Sequence, residues 1–283
     1  MATPIGNLED VTLRALDVLR KADAIAAEDT RVTSRLLERY GISRKLIALH
    51  EHNERRTAPR IVEELQAGRS VALVSDAGTP GFSDPGAHLV AAVREAGFRV
   101  VPVPGANAAA AALSASGFAG PQFLFYGFLP AKSSERRRAL DALARIRYAL
   151  VFYEAPHRVI ETLADLAAAF GAARRIVLAR EMTKLFEEIH TCALGEAAAW
   201  LAADDKRVKG EFVLIVEGAQ EDIDAAAADA RRVLELLLAE LPVKQAAALA
   251  ARITGARKNE LYDLALQFKA DDAPSGFAAR RKK

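Results

Sequence analysis

The chain has 283 residues, 51% hydrophobic and 27% charged, which is enough for two or three small domains with buried cores and excludes a mainly disordered chain. Its 39 Lys and Arg against 37 Asp and Glu leave a formal net charge of +2, so any nucleic-acid contact has to come from local basic clusters. The single cysteine, Cys192, excludes an internal disulfide and a cysteine zinc cage, and with neither a leader-like start nor an apolar run near ~20 residues the expectation is a soluble, cytoplasmic, untargeted protein.

Taken in chain order, residues 12–21 read as an amphipathic helix whose Leu8, Val11, Ala15, Val18 and Ala22 form one apolar stripe. Strands follow at 46–49, 71–75, 100–103, 123–126, 149–153, 176–179 and 212–217, with helices at 56–67, 84–96, 107–116, 135–147 and 158–170. This alternation defines an α/β protein, and its crossover helices predict mainly parallel strands. Glycine and proline at 116–121 mark a domain boundary. The expected organisation is therefore an N-terminal α/β domain over 1–117, a second over 118–222 with a cleft between them, and a helical tail over 223–283. The tail's helices are expected at 225–241, 243–253 and 258–268, with Ala246, Leu249, Ala250, Ile253, Leu261, Tyr262, Leu264 and Phe268 as its core. The terminal Arg280-Arg281-Lys282-Lys283 is expected to lack regular structure.

Three strand-end loops are candidates for ligand contact. Thr3-Pro4-Ile5-Gly6-Asn7 runs into a helix, and Gly6 there permits close backbone approach. Ser75-Asp76-Ala77-Gly78-Thr79-Pro80-Gly81-Phe82-Ser83-Asp84-Pro85-Gly86 follows a buried strand; its plain alternative is a crossover in which Asp84 merely caps the next helix. Pro104-Gly105-Ala106-Asn107 opens a helix of small side chains, which close packing explains as well as a ligand does. The first is neither a dinucleotide turn nor a phosphate loop with its lysine, and none of the three supplies a metal set or a Ser-His-Asp order. One extended ligand in a crevice fits all three.

The ordered blocks narrow the reading. They comprise Thr3-Pro4-Ile5-Gly6-Asn7, Glu28-Asp29-Thr30-Arg31, His50-Glu51-His52-Asn53-Glu54, the 75–86 loop, Gly127-Phe128-Leu129-Pro130, Tyr153-Glu154-Ala155-Pro156-His157-Arg158, residues 180–188 and Lys209-Gly210-Glu211-Phe212. Together they resemble the tetrapyrrole-methylase superfamily (class III SAM methyltransferases), and within it the RsmI family of 16S rRNA (cytidine) 2′-O-methyltransferases. The resemblance implies two α/β domains with S-adenosylmethionine in the cleft, a helix-turn-helix-like tail, 16S rRNA in the small ribosomal subunit as partner, and a homodimer away from membranes. It implies cofactor contacts from Pro4, Gly6, Asn7, Asp76, Gly78, Thr79, Ser83, Asp84, Gly105, Ala106, Tyr153 and Glu211. Family members begin with a further strand ahead of the Thr-Pro-Ile-Gly-Asn turn, whereas Met1-Ala2 precedes it here, so the sheet is expected to lack most of that strand and to support the 3–7 loop less well. Met182 stands where leucine is common, a volume-conserving exchange.

Methyl transfer to a hydroxyl is an in-line displacement, so alignment matters more than acid-base help. The candidates to accept the 2′-OH proton are Asp29, His52, Lys184 and Glu188, while Arg31, Arg35, Asn53, Arg55, Arg136 and Arg158 are candidates to touch RNA. Plain alternatives stand beside them: an Asp29–Arg31 ion pair, a solvated helix face at 136–138, and Arg158 as a helix start. His50 and His52 resemble a metal pair, but no third ligand is near in sequence and no metal is expected. The rival functions are corrin or porphyrin C-methylation on the same fold and non-catalytic binding of RNA in ribosome assembly.

Overall fold

A computed structural model describes residues 1–118, 120–220 and 223–271, which form two compact units, 1–219 and 220–283. The Arg280–Lys283 tail lies outside the described residues. The first sheet has the order β2-β1-β3 from strands β1 (Ala24–Ala27), β2 (Lys45–Ala48) and β3 (Val71–Val74), all parallel. α1 (Leu13–Lys21) and α2 (Thr30–Arg39) cover one face, and α3 (Glu54–Gln66) and α4 (Ala87–Glu95) the other. β1 carries the run Ala-Ile-Ala-Ala, buried throughout, as expected of a central parallel strand enclosed on both faces.

The expected strand at 100–103 does not form. Met1 and Ala2 run between β3 and this segment, the Met1 ammonium donating to Leu73 O at 2.7 Å and Ala2 N–H to Val103 O at 3.1 Å. A single backbone hydrogen bond to this segment makes no ladder, and Val100 and Val101 remain exposed. The 3–7 loop, in contrast, is well supported. Thr3 and Gly78 exchange both backbone hydrogen bonds, Thr3 Oγ1 donates to Ser75 O, and Asn7 N–H donates to Thr183 Oγ1 at 3.0 Å.

α5 (Ala108–Ser116) leads into the second sheet, ordered β4-β5-β8-β6-β7 from β4 (Phe123–Phe128), β5 (Ala149–Glu154), β6 (Arg175–Arg180), β7 (Glu188–Ala193) and β8 (Phe212–Val216). Only β4 and β5 are parallel; β8 pairs antiparallel with β5 and β6, and β7 with β6, which corrects the expectation of a mainly parallel fold. Returns such as Ala179–Ile189 are short enough to reverse the chain without a crossover helix. α6 (Ser133–Leu143), α7 (Val159–Phe170) and α8 (Leu194–Ala202) cover one face, while Ala109 and Ala112 of α5 pack on the other. The α5 alanines thus serve close helix–sheet packing. In α1 the buried stripe is Ala15, Leu16 and Leu19, whereas Leu8 sits exposed in a preceding 3₁₀ turn. Thr12 caps that helix, so it begins one turn later than the sequence stripe suggests.

In the second unit α9 (Ile223–Leu238), α10 (Val243–Thr254) and α11 (Lys258–Asp271) bury Ala230, Leu234, Ala246, Ala247, Ala250, Leu261 and Ala265. Three residues assigned to this core, Leu249, Ile253 and Tyr262, are exposed instead: α10 turns its alanine face inward, and α11 turns Leu261 and Ala265 inward. No helix among the described residues is long and apolar enough to cross a membrane.

Candidate active site

Because β1, β2 and β3 are parallel, the loops that follow them share one edge of the sheet, the usual ligand edge of such sheets. The loop after β3 is braced from both sides: Thr79 Oγ1 donates to Ala106 O at 3.1 Å, and buried Glu54 accepts from both Gly86 and Leu89 N–H at 2.9 Å. Glu54, not Asp84, therefore anchors the start of α4, and Asp84 is left to face a cavity.

That cavity has a volume of about 350 Å³, within the ~300–1,000 Å³ of small-molecule sites. Ile5, residues 77–79 and 82–84, Asn107 and Ala108 line it from the first half of the chain; Phe128, residues 153–156, Met182 and residues 211–213 do so from the second. Backbone strain gathers here. The three non-glycine residues with left-handed backbone among those described are Ser83, which lines the cavity, and Glu181 and Thr183, which bracket Met182. The Tyr153 hydroxyl accepts from Ala109 N–H, and burial raises its pKa.

The cavity's carboxylates differ in freedom. Glu154 is fully committed, accepting from Ala155 N–H, the Arg158 guanidinium and Thr162 Oγ1. Glu211 binds the Lys184 ammonium at 2.8 Å. Asp84 is half-buried; burial first, and the charges of Glu28 and Asp76 after it, push its pKa up to about 6 against a weaker opposing hydrogen bond from Ser75. Glu28 and Asp76 are themselves raised, mainly by burial.

Of the twelve expected cofactor contacts, Gly78, Thr79, Ser83, Asp84, Tyr153 and Glu211 line this cavity. Pro4 and Asp76 line a separate recess of about 190 Å³ with Arg35. Gly6 faces protein: a Cβ there would fall 2.8 Å from Thr183 Oγ1, so its close approach is to the 182–184 loop. Gly105 packs against Ala2 in the same way, Asn7 caps the 3₁₀ turn, and Ala106 holds Thr79. Phe82, Phe128, Pro156, Met182 and Phe212 also line the cavity, although they lie outside the twelve expected contacts. Their signal was weak, since each reads as ordinary core or loop.

None of the four proton-acceptor candidates lines the cavity. Asp29 caps α2 and grips Arg31, whose side-chain hydrogen bonds hold its pKa down to about 2. For Lys184, burial would lower the pKa, but the hydrogen bonds to Glu211 and Glu181 outweigh it and raise it, so the side chain is a firmly held cation and not a base. Glu188 faces Arg180 and Arg207 in another recess, and His52 is exposed in the loop after β2. Among the RNA candidates, Arg31, Arg35 and Arg55 are exposed at or near the sheet's ligand edge. Arg136 is not available: its side chain is 1% exposed and bound to Asp165 at 2.7 Å, beneath α7. Arg158 is likewise mostly buried on Glu154, and Asn53 braces its own loop by binding His50 N–H and Ala48 O. His50 and His52 meet edge to face, and no metal-holding group of three His, Cys, Asp or Glu occurs among the described residues.

Two α/β halves with strand-end loops around a shared cavity match the family of tetrapyrrole (corrin/porphyrin) methylases over residues 2–198, and the chain belongs to that methyltransferase family. Its fold is shared with the crystal structure of the methyltransferase CobJ (24% identity, TM-score 0.57, 76% of this chain and 90% of that one). Cobalt precorrin-4 methyltransferase CbiF is similar at 15% identity and TM-score 0.57, over 77% of this chain and 92% of that one. Within the family, the chain belongs with the ribosomal RNA small subunit methyltransferases I. It is 54% identical to those of Escherichia coli O157:H7, over 94% of this chain and 93% of the relative, and of Pseudomonas aeruginosa, over 94% and 95%. Residues 224–269 match the RsmI C-terminal HTH domain.

Proposed function

We propose that this protein transfers a methyl group from S-adenosylmethionine to the ribose 2′-OH of a cytidine in 16S rRNA of the small ribosomal subunit. The observation that carries the reading is the 350 Å³ cavity walled by the family's own blocks, with Asp84 as its least committed carboxylate. A cationic donor suits this wall, since its positive charge offsets the repulsion among Asp84, Glu28 and Asp76. The donor supplies an electrophilic methyl on a sulfonium. The chain's own residues do the rest: the 77–84 loop and Asn107 offer backbone and polar groups, partly buried Tyr153 backs the cavity, and Lys184 fixes the Glu181 and Glu211 turns around Met182.

Arg31, Arg35 and Arg55 supply phosphate contacts on the RNA side, a role that predicts affinity falling with salt. Cytoplasmic action and assembly as a homodimer belong to the same reading. The decisive assay supplies labelled S-adenosylmethionine and small ribosomal subunits to the purified protein. Ribose-linked label in 16S rRNA is expected, together with calorimetric binding of the donor that weakens in Asp84→Ala. Unlabelled rRNA would refute the proposal, and label on a tetrapyrrole instead would assign the rival chemistry.

A further inference from the structure

The edge strand β4 has the sequence Phe-Leu-Phe-Tyr-Gly-Phe, and its pairing with β5 skips a residue: Phe125 lies opposite Val151 but Gly127 opposite Phe152. Tyr126 is the extra residue of a bulge, and its ring turns to Phe152 on the far face. In a regular strand Phe125 and Phe128, three apart, would point to opposite faces. The bulge puts both on the cavity face, where each meets Tyr153 edge-on, at 5.0 and 5.6 Å. Gly127 makes this possible, since it holds φ +81° and a Cβ there would lie 2.6 Å from Ser83 Oγ.

A row of rings results: Phe82 against Phe125 at 5.9 Å, then Tyr153, then Phe128. Its inner members are partly buried, but the end rings, Phe82 and Phe128, line the cavity while 47% and 52% exposed. Resting on the functional reading above, a substrate explains two half-bare rings at that position. The 2′-oxygen sits on the ribose carbon next to the one bearing the base, so bringing it to a methyl in the cavity brings the base to the cavity wall. Bases have a π-face that stacks on aromatic side chains, and single-stranded RNA is read in this way. Phe82 also belongs to the loop at the sheet edge near which Arg31, Arg35 and Arg55 are exposed, so cationic side chains for the flanking phosphates lie on the same edge.

We propose that Phe128 and Phe82 hold the base of the nucleotide being methylated by stacking, and so position its ribose. The test uses the full chain, labelled S-adenosylmethionine and small ribosomal subunits. Phe128→Leu keeps an apolar side chain but loses the π-face, and its kcat/KM for subunits is expected to fall about 10- to 100-fold. Donor affinity by calorimetry should hold, and Phe128→Tyr should restore most of the rate. Phe82→Leu, on a loop and outside the sheet, should show the same pattern in smaller measure. Wild-type kcat/KM in both leucine variants would overturn the proposal. So would a parallel loss of donor affinity, which would give the rings to the donor's adenine, or a change in sedimentation with normal turnover, which would give them to a subunit contact. A wild-type protein that leaves rRNA unlabelled instead sinks the functional reading and is told apart by that control.

Discussion

Replacing Asp84 by asparagine is expected to stabilise the protein while harming its activity. The folded structure pushes this carboxyl from its ordinary 3.8 up to about 6, chiefly by burial. Holding it ionised therefore costs about 3 kcal/mol in principle, reduced to about 1–2 kcal/mol because the side chain is only half-buried and solvent screens it. The sign follows from linkage: the folded state binds the proton more tightly than the unfolded one, so stability is lost as pH rises from about 3.8 to about 6 and the loss is complete above that. The amide of the Asp84→Asn variant cannot ionise and escapes this cost. In urea titrations near pH 8 the variant should gain about 1–2 kcal/mol, or about 2–8 °C in Tm, and the gain should shrink towards nothing near pH 4. A gain of equal size at both pH values, or a loss near pH 8, would show that charge at this wall is not what the fold opposes. Donor binding, in contrast, should weaken at neutral pH because the anion is gone.

Three further substitutions test the framework. Arg136→Met strands Asp165 against α7 and should cost about 3 kcal/mol, the low end for a broken buried pair because Arg137 and Ser133 remain; a Tm unchanged from wild type would return Arg136 to the RNA face. Gly127→Ala forces a side chain into a left-handed position against Ser83 and should cost about 1–3 kcal/mol in thermal melts; a neutral result would mean that the bulge relaxes freely. Lys184→Ala breaks two partly exposed ion pairs, so stability should drop by less than about 1 kcal/mol while turnover falls and donor affinity is spared. Normal turnover would remove this lysine from the site.

Much of the scaffold is legible in the sequence because its elements are locally marked. Strands such as Phe212–Val216 are short apolar runs bounded by glycine, and α5 opens on Asn107, whose side chain caps Ala110 N–H as its residue type suggests. β7 is not marked in the sequence because Glu-Ile-His-Thr-Cys-Ala is an edge strand that fully buries none of its side chains and puts Glu188, His190 and Cys192 on its half-buried side, so no apolar alternation announces it. The site is half legible. Gly78 and Asp84 sit in a loop whose composition signals a ligand and Tyr153 in a block marked only by the family resemblance, but the wall formed by Phe82 and Phe128 depends on a bulge that no periodicity announces. Arg136 misled for a related reason. A basic triplet on a helix looks solvated until a carboxylate on the neighbouring helix, here Asp165 of α7, proves to face it.

Glu54 ties two loops of the ligand edge to one another. It precedes Arg55 at the start of α3, on the loop that also carries His50 and His52, and a single carboxylate oxygen holds both Gly86 and Leu89 N–H at the foot of the 75–86 loop. Buried bonds of this kind transmit displacement and do not absorb it. One side chain therefore sets the spacing between the loop that leads into α3 and the segment that carries Phe82, Ser83 and Asp84, so a substitution at Glu54 would disturb both ends of the ligand edge at once.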